Sequence, residues 1–80
     1  MTKYLFLEEW NDGGGVRVSD FGEISEKRCE EIIADMEKYS PYDYAVPNVF
    51  DSKDKYQSAL GARERDKNCD VNHIRMEVQK

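Results

Sequence analysis

The most reactive side chains in this chain are those of Cys29, Cys69, Asp70 and His73. Thiolate, imidazole and carboxylate groups act as nucleophiles, general bases and zinc ligands. A structural zinc site needs four ligands, usually in two close pairs, and Cys29 falls on a stripe that is typical of core. Nucleophilic catalysis needs a base in reach, and His73 falls on the polar side of a predicted strand. We therefore expect no metal, no cofactor and no enzymatic activity.

The glycine run at residues 13–15 does not match a phosphate-binding loop. Such a loop ends in Gly-Lys-Ser or Gly-Lys-Thr and opens a helix whose N-terminus faces the phosphates. Here Asp12 precedes the glycines, and an alternation of apolar and polar residues typical of a strand follows them. We predict a β-hairpin that joins strands at residues 4–10 and 16–19.

Carboxylates form the most distinctive pattern. Residues 1–40 hold ten acids and five bases, so the whole net charge of −5 comes from this half. Four glutamates follow one line of a predicted helix and two more acids flank them: Glu23, Glu26, Glu30 and Glu37, with Glu31 and Asp35. Neighbours on such a line stand about 5–6 Å apart. The row is either a solubilising outer face or a set of anions that occupies a phosphate-binding groove on a partner.

The segment YSPYDYAVPNVF at residues 39–50 contains three tyrosines and both prolines but no lysine or arginine. Without bases it is a poor platform for nucleic acid, so we expect no direct nucleic-acid binding. We interpret it as a loop that either covers a small core or binds a protein. Four of its side chains are expected in the core: Tyr39, Val46, Val49 and Phe50. Tyr42 and Tyr44, which flank Asp43, are then left for a partner.

Two helices are predicted from spacing and caps. Ser25 is a good N-cap for a helix that runs to about Tyr39, with Pro41 as its stop. Its apolar stripe consists of Cys29, Ile32, Ile33, Met36 and Tyr39. A second helix over residues 52–65 turns Tyr56 and Leu60 to one side. A last strand is predicted at 73–79 from its alternation.

These elements predict a single α+β domain over residues 1–80. We expect a small, mostly antiparallel sheet of about three strands in the order β-β-α-(α)-β, with one amphipathic helix packed on one face. The first and last strands are expected to meet in the sheet. With no export signal or membrane span, we expect a cytoplasmic protein with reduced cysteines, the alternative being a Cys29–Cys69 disulfide.

Size, acidity and the lack of catalytic groups predict a small acidic protein-binding module, without a membrane partner. In kind, though in no residue correspondence, the chain resembles the small inhibitors that phages make against host enzymes, such as anti-CRISPR and anti-restriction proteins. This likeness implies an inhibitor of a nucleic-acid-handling host enzyme that acts by steric block or phosphate mimicry, through helix 23–37 and the loop 39–50. The alternative is a regulatory or antitoxin-like subunit that binds through a sheet edge or the tyrosines. A minimal enzyme dependent on His73 is the third hypothesis.

Overall fold

The hairpin at the start of the chain forms the centre of the sheet. A computed structural model describes residues 2–10, 16–36 and 44–74, with Tyr44 described in its backbone only. Strand β1 (Thr2–Trp10) pairs antiparallel with β2 (Val16–Ser25), from Thr2 opposite Ser25 to Trp10 opposite Val16. The predicted hairpin is therefore confirmed, and its turn at residues 11–15 lies outside the described residues.

Two edge strands complete a four-stranded sheet. Strand β3 (Tyr44–Phe50) pairs antiparallel with β1, and β4 (Cys69–His73) pairs parallel with β2, so the order is β3-β1-β2-β4. The α+β class and the mostly antiparallel pairing are as predicted, but the sheet has one strand more than expected. The first and last strands share the sheet without meeting, because β2 lies between β1 and β4.

Helix α1 (Glu26–Ala34) covers one face of the sheet. It begins after Ser25, whose hydroxyl accepts a hydrogen bond from the Arg28 amide at 3.1 Å, as a good N-cap does. It ends at Asp35, whose ψ of 28° is not helical; Met36 is helical again, and the rest of the predicted helix to Tyr39 lies outside the described residues. The core on this side joins the central strands to the helix: Leu5, Leu7, Phe21, Ile24, Cys29 and Ile32.

Helix α2 (Lys53–Glu64) covers the opposite face, where the prediction had one helix on one face only. Ser52 caps it by accepting a hydrogen bond from the Lys55 amide at 3.4 Å. Side chains of a strand alternate between the faces of a sheet, and this core is built from the other set: Phe6, Val18, Tyr56 and Leu60. Tyr56 also stacks on Tyr4, with ring centroids 5.3 Å apart.

A bulge in β2 lets that strand serve both cores. Leu5 faces Gly22 while Phe6 faces Asp20, so Phe21 is an extra residue in β2. Gly22 has a φ of 71°, a value that a side chain at this position would disfavour. As a result Phe21 packs under α1 while the neighbouring Asp20 points towards α2.

Of the four side chains expected in the core, the structure describes three: Val46, Val49 and Phe50. Phe50 packs on the α2-side core, but Val46 and Val49 are each 43% exposed because they lie on an edge strand. The cysteines are free, and they lie on opposite faces of the sheet, Cys29 under α1 and Cys69 beside the α2-side core. Within the described ranges, neither helix has the length and apolar character needed to cross a bilayer.

The strand predicted from alternation at residues 73–79 is tested only at its beginning. Among the described residues the strand nearest the C-terminus is Cys69–His73, which overlaps the predicted one at His73. Residues 75–80, which carry most of that alternation, lie outside the described residues, as does Tyr39.

Candidate protein-binding surface

The acidic residues of α1 divide between two flanks of the helix. Cys29 and Ile32 face the sheet, so Glu26 and Glu30, one turn apart, line one flank. Glu31 and Asp35, also one turn apart, lie towards the other flank, where Arg28 Nη1 contacts Glu31 Oε1 at 3.2 Å. All four acids are exposed. Among the described residues the helix therefore presents one short acidic row on each flank, and Glu37, which ends the predicted row, lies outside them.

The flank with Glu26 and Glu30 faces strand β3. Lys3 of the central strand β1 donates a hydrogen bond to Asp51, the residue directly after β3. The Lys3 ammonium also lies 3.9 Å from Glu26. One lysine thus reaches both the beginning of α1 and the end of β3. Its hydrogen bond and its charge lower the pKa of the Asp51 carboxyl, and the same bond raises the pKa of Lys3.

Glu23 does not belong to either row. It lies in β2, opposite Tyr4, and Tyr4 stacks against Tyr56 of α2. Residues directly opposite each other in an antiparallel pair point to the same face, so Glu23 is on the α2 side of the sheet. The predicted inclusion of Glu23 in one helical row was wrong, because Ser25 starts the helix after it.

Strand β3 leaves one side open beside that acidic flank. Among the described strands it pairs with β1 alone. Pro47 lies in its middle, opposite Leu7. A proline has no N–H to give to a ladder, so in a strand paired on one side its nitrogen faces the other side. The backbone groups of Ala45 and Val49, in the same phase, face outwards too.

The two exposed valines of β3 point to opposite faces. Val49 lies opposite Leu5, which belongs to the α1-side core, whereas Val46 lies opposite Glu8, whose carboxylate accepts a hydrogen bond from Arg63 of α2 at 2.9 Å. Val49 is thus on the same side as Glu26 and Glu30. We name the exposed flank of Glu26 and Glu30, the Val49 side chain and the open edge of β3 the α1–β3 surface.

The other predicted binding residues are only partly placed. Glu37, Tyr42 and Asp43 lie outside the described residues. The backbone of Tyr44 begins β3 and pairs with Trp10, and its side chain is outside the description. The segment interpreted as a tyrosine loop therefore contains an edge strand. The end of this strand at Asp51 is connected through Lys3 to Glu26 of the acidic helix, whereas Tyr44 lies at the other end.

A buried carboxylate that sequence reasoning missed lies on the other face. Asp20 is completely buried and its Oδ1 accepts hydrogen bonds from the Tyr56 hydroxyl at 2.5 Å and the Gly22 amide at 3.0 Å. Its Oδ2 lies 2.7 Å from Nδ1 of His73, and His73 Nε2 lies 3.9 Å from Glu64. Asp20 thus ties β2 to both α2 and β4. His73 was predicted as a surface histidine, and its side chain is indeed 46% exposed at the outer end of this cluster.

The Asp20 cluster does not contain the parts of a nucleophilic site. Serine or cysteine would have to stand within hydrogen-bond reach of His73. Cys69 shares its strand and face, but four residues of extended chain separate the two by about 13 Å. Burial raises the pKa of the Cys69 thiol, which disfavours the reactive thiolate. Among the described residues no group of three or more potential ligands could hold a metal ion.

A second buried acid lies on the α1 side. Glu9 is fully buried and accepts a hydrogen bond from the Ser19 hydroxyl. Its other oxygen, Oε2, has no hydrogen-bond partner among the described residues. The outward backbone of Ala45 lies across from it in β3.

No family model, no curated protein and no solved structure matches this chain.

Proposed function

We propose that the protein is a small acidic binding module that occupies a basic, nucleic-acid-binding surface on another protein through the α1–β3 surface. It acts as an inhibitor of a nucleic-acid-handling enzyme or complex, the task that phage anti-CRISPR and anti-restriction proteins perform. This function places the protein in the cytoplasm, that of a host cell if a phage encodes it.

One observation carries this function: exposed acids stand beside an exposed apolar residue and an open strand edge. Glu26 and Glu30 line the flank, Asp51 follows the strand, and Val49 is 43% exposed on the same face of the sheet. Lys3 offsets part of this charge through its contacts with Glu26 and Asp51, and Lys55 attracts Asp51 at longer range. Like charges one helical turn apart repel by a few tenths of a kcal/mol, and a cationic partner relieves that repulsion.

The mechanism follows from the placement of these groups. Glutamates one helical turn apart, with Cβ atoms about 5–6 Å from each other, offer lysine and arginine side chains the same type of contact that phosphate oxygens offer. The sheet edge and Val49 add apolar area and backbone hydrogen bonds beside them. A partner that binds this surface has its own phosphate-binding residues occupied, so nucleic acid is excluded both by charge and by steric block.

The chain supplies a matched pair of variants to test this function. Glu26→Gln with Glu30→Gln neutralises the flank beside β3, and Glu31→Gln with Asp35→Asn removes the same charge from the same helix towards the other flank. Immobilised protein would be exposed to the heparin-binding proteins of a bacterial lysate. Each charge-assisted contact contributes about 1.5–3 kcal/mol, so the first variant should lower retention of a captured protein at least about tenfold.

Two further readouts belong to the same experiment. Retention by the wild type should fall with added salt and with duplex DNA as competitor, because both compete for the same cationic groups. The Glu31/Asp35 variant should retain the captured protein as the wild type does. Equal loss in the two variants would show a general charge effect and contradict the assignment of this surface.

A second candidate function is favoured by the valines. Val46 and Val49 are equally exposed on opposite faces of an unpaired edge, which suits a regulatory or antitoxin-like subunit with a largely apolar interface. Its binding would be insensitive to salt and to the glutamine variants. Tyr42→Ala with Tyr44→Ala would then weaken binding with little change in melting temperature, as would Val46→Thr with Val49→Thr.

A further inference from the structure

We infer that the partner contributes an extended segment, with basic and apolar side chains in alternation, which adds to the open edge of β3 as a fifth strand. This inference rests on the proposed function and specifies the form of the partner. The bound segment continues the sheet β3-β1-β2-β4 on its β3 side.

The backbone of β3 is suited to strand addition. Ala45 and Val49 share the phase of Pro47, so both direct an N–H and a C=O to the side away from β1. Pro47 adds a third carbonyl but no donor. Unpaired backbone groups in a row are a template for another strand, and peptide-binding domains use them in this way. Pro47 limits the number of hydrogen bonds that a random strand can make here.

The side chains of β3 determine the pattern of the added segment. Alternate residues of the new strand point to the α1 side, beside Val49 and the flank of Glu26 and Glu30. A lysine or arginine there can lay its methylene stem on Val49 while its charged end reaches the carboxylates. The remaining residues point to the other side, beside Val46, where an apolar side chain buries the exposed valine.

Charge argues against a second copy of this chain as the occupant. Each copy has a net charge of −5, and pairing of two β3 edges would bring the acids that border both edges towards one seam. The screened repulsion between these acids is absent for a basic segment, which gains attraction at the same place. A dimer is therefore an outcome of the test that would overturn the inference.

Proline substitutions can remove hydrogen-bond donors from the open edge of β3 without removing donors from its ladder with β1. Ala45→Pro and Val49→Pro each remove one outward N–H in the phase that already accepts Pro47, and the β1–β3 hydrogen bonds stay in place. The probe is a synthetic peptide of about ten residues in which lysine and valine alternate. A second peptide has the same composition in two blocks, lysines first, and a third has glutamate in place of lysine.

Nuclear magnetic resonance would follow hydrogen exchange of the 15N-labelled protein during titration. The alternating peptide should slow exchange of the Ala45 and Val49 amides at least about tenfold, as expected for amides that enter a ladder. The block and glutamate peptides should give no protection. Fluorescence anisotropy of the labelled alternating peptide should show at least a tenfold loss of affinity for the double proline variant.

A second pair of variants keeps the test valid if the prolines unfold β3. Val49→Lys places a positive charge beside the basic residues of the peptide, whereas Val46→Lys places it at the same exposure on the other face. Val49→Lys should weaken binding of the alternating peptide more than Val46→Lys, which removes an apolar contact but adds no charge beside the basic residues. Equal effects, or protection of Ala45 and Val49 by the block peptide, would overturn the inference.

The other outcomes of these experiments distinguish the proposed function from strand addition at β3. Capture that is lost in the Glu26/Glu30 variant but kept in folded proline variants leaves the proposed function standing and overturns strand addition. Capture that is insensitive to both contradicts the proposed function itself. Sedimentation of a dimer, with Ala45 and Val49 protected in the absence of peptide, would show that a second copy occupies the edge.

Discussion

The two faces of the sheet differ in the contacts that stabilise them and in the groups that they expose to solvent. On the α2 face a buried carboxylate, Asp20, connects a helix and an edge strand, and Tyr56 joins that polar cluster to an aromatic core. On the α1 face the helix lies over the two central strands, and the acids of its flank border the open strand β3. Hydrogen bonds between elements that are far apart in the chain are concentrated on the α2 face, whereas the acids beside the open edge of β3 lie on the α1 face.

This difference teaches how a short chain can combine stability with an exposed binding surface. A chain of 80 residues has a small core, so its folding free energy is expected to be about 4–12 kcal/mol. Polar bonds around Asp20 fix α2 and β4 without using the α1–β3 surface. Residues of that surface can therefore change with little effect on folding, and residues of the Asp20 cluster can change with little effect on binding.

The largest effect is expected from Asp20→Ala. It leaves the Tyr56 hydroxyl and the Gly22 amide without their acceptor and His73 without its carboxylate. Each buried donor left without its acceptor costs about 1–3 kcal/mol, so the free energy of unfolding should fall by roughly 2–6 kcal/mol. Urea denaturation would measure it. Tyr56→Phe, which removes one of these bonds, should lower it by about 1.5 kcal/mol, and a loss below that for Asp20→Ala would refute the role of the cluster.

A smaller, stabilising effect is expected from Gly61→Ala in α2. Glycine within a helix is less favourable than alanine by about 1 kcal/mol. A methyl group at Gly61 would meet only the end of the Arg65 side chain, at 3.2 Å, and that exposed side chain can move aside. Thermal unfolding should therefore shift upwards, with peptide binding unchanged. A lower melting temperature would mean that Arg65 is held more firmly than its exposure indicates.

The reactivities of the two cysteines can test the difference between the two faces in the wild-type protein. Burial is the main factor that raises the pKa of both the Cys29 and the Cys69 thiol. Alkylation of Cys69 by iodoacetamide should therefore keep accelerating as the pH passes the ordinary thiol pKa, since the thiolate is the reactive form. Cys69, on an edge strand, should react in the folded protein, whereas Cys29, only 3% exposed, should react at the rate of unfolding. Mass spectrometry of labelled peptides separates the two sites, and equal rates would contradict their placement.

Local patterns predicted the elements that depend on neighbouring residues. The glycine run predicted the hairpin, and Ser25 predicted where α1 begins, because a cap acts within one turn of chain. Strand β3 was missed because Pro47 interrupts its alternation, and a proline in such a run is typical of loops as well as of edge strands. This error also placed Val46 and Val49 in the core.

Contacts between distant residues could not be predicted in the same way. Asp20 and His73 are far apart in the chain, and no pattern around either one indicates the other. The parallel pairing of β2 with β4 brings them together, and the bulge at Phe21 and Gly22 decides which face Asp20 takes. The acidic row was predicted in part, since Glu26 and Glu30 do share a flank, but the adjacent strand edge came only from the fold.

The parallel strand β4 also has a consequence for the order of folding. Strands β1 and β2 are close in sequence and can pair within microseconds, whereas β4 can pair with β2 only after the long intervening segment that contains α1 and α2 has been closed into a loop. We expect the bond between His73 and Asp20 to form after the rate-limiting step. Loss of that bond would then leave the refolding rate almost unchanged and speed up unfolding, so the cluster determines how long the protein stays folded more than how fast it folds.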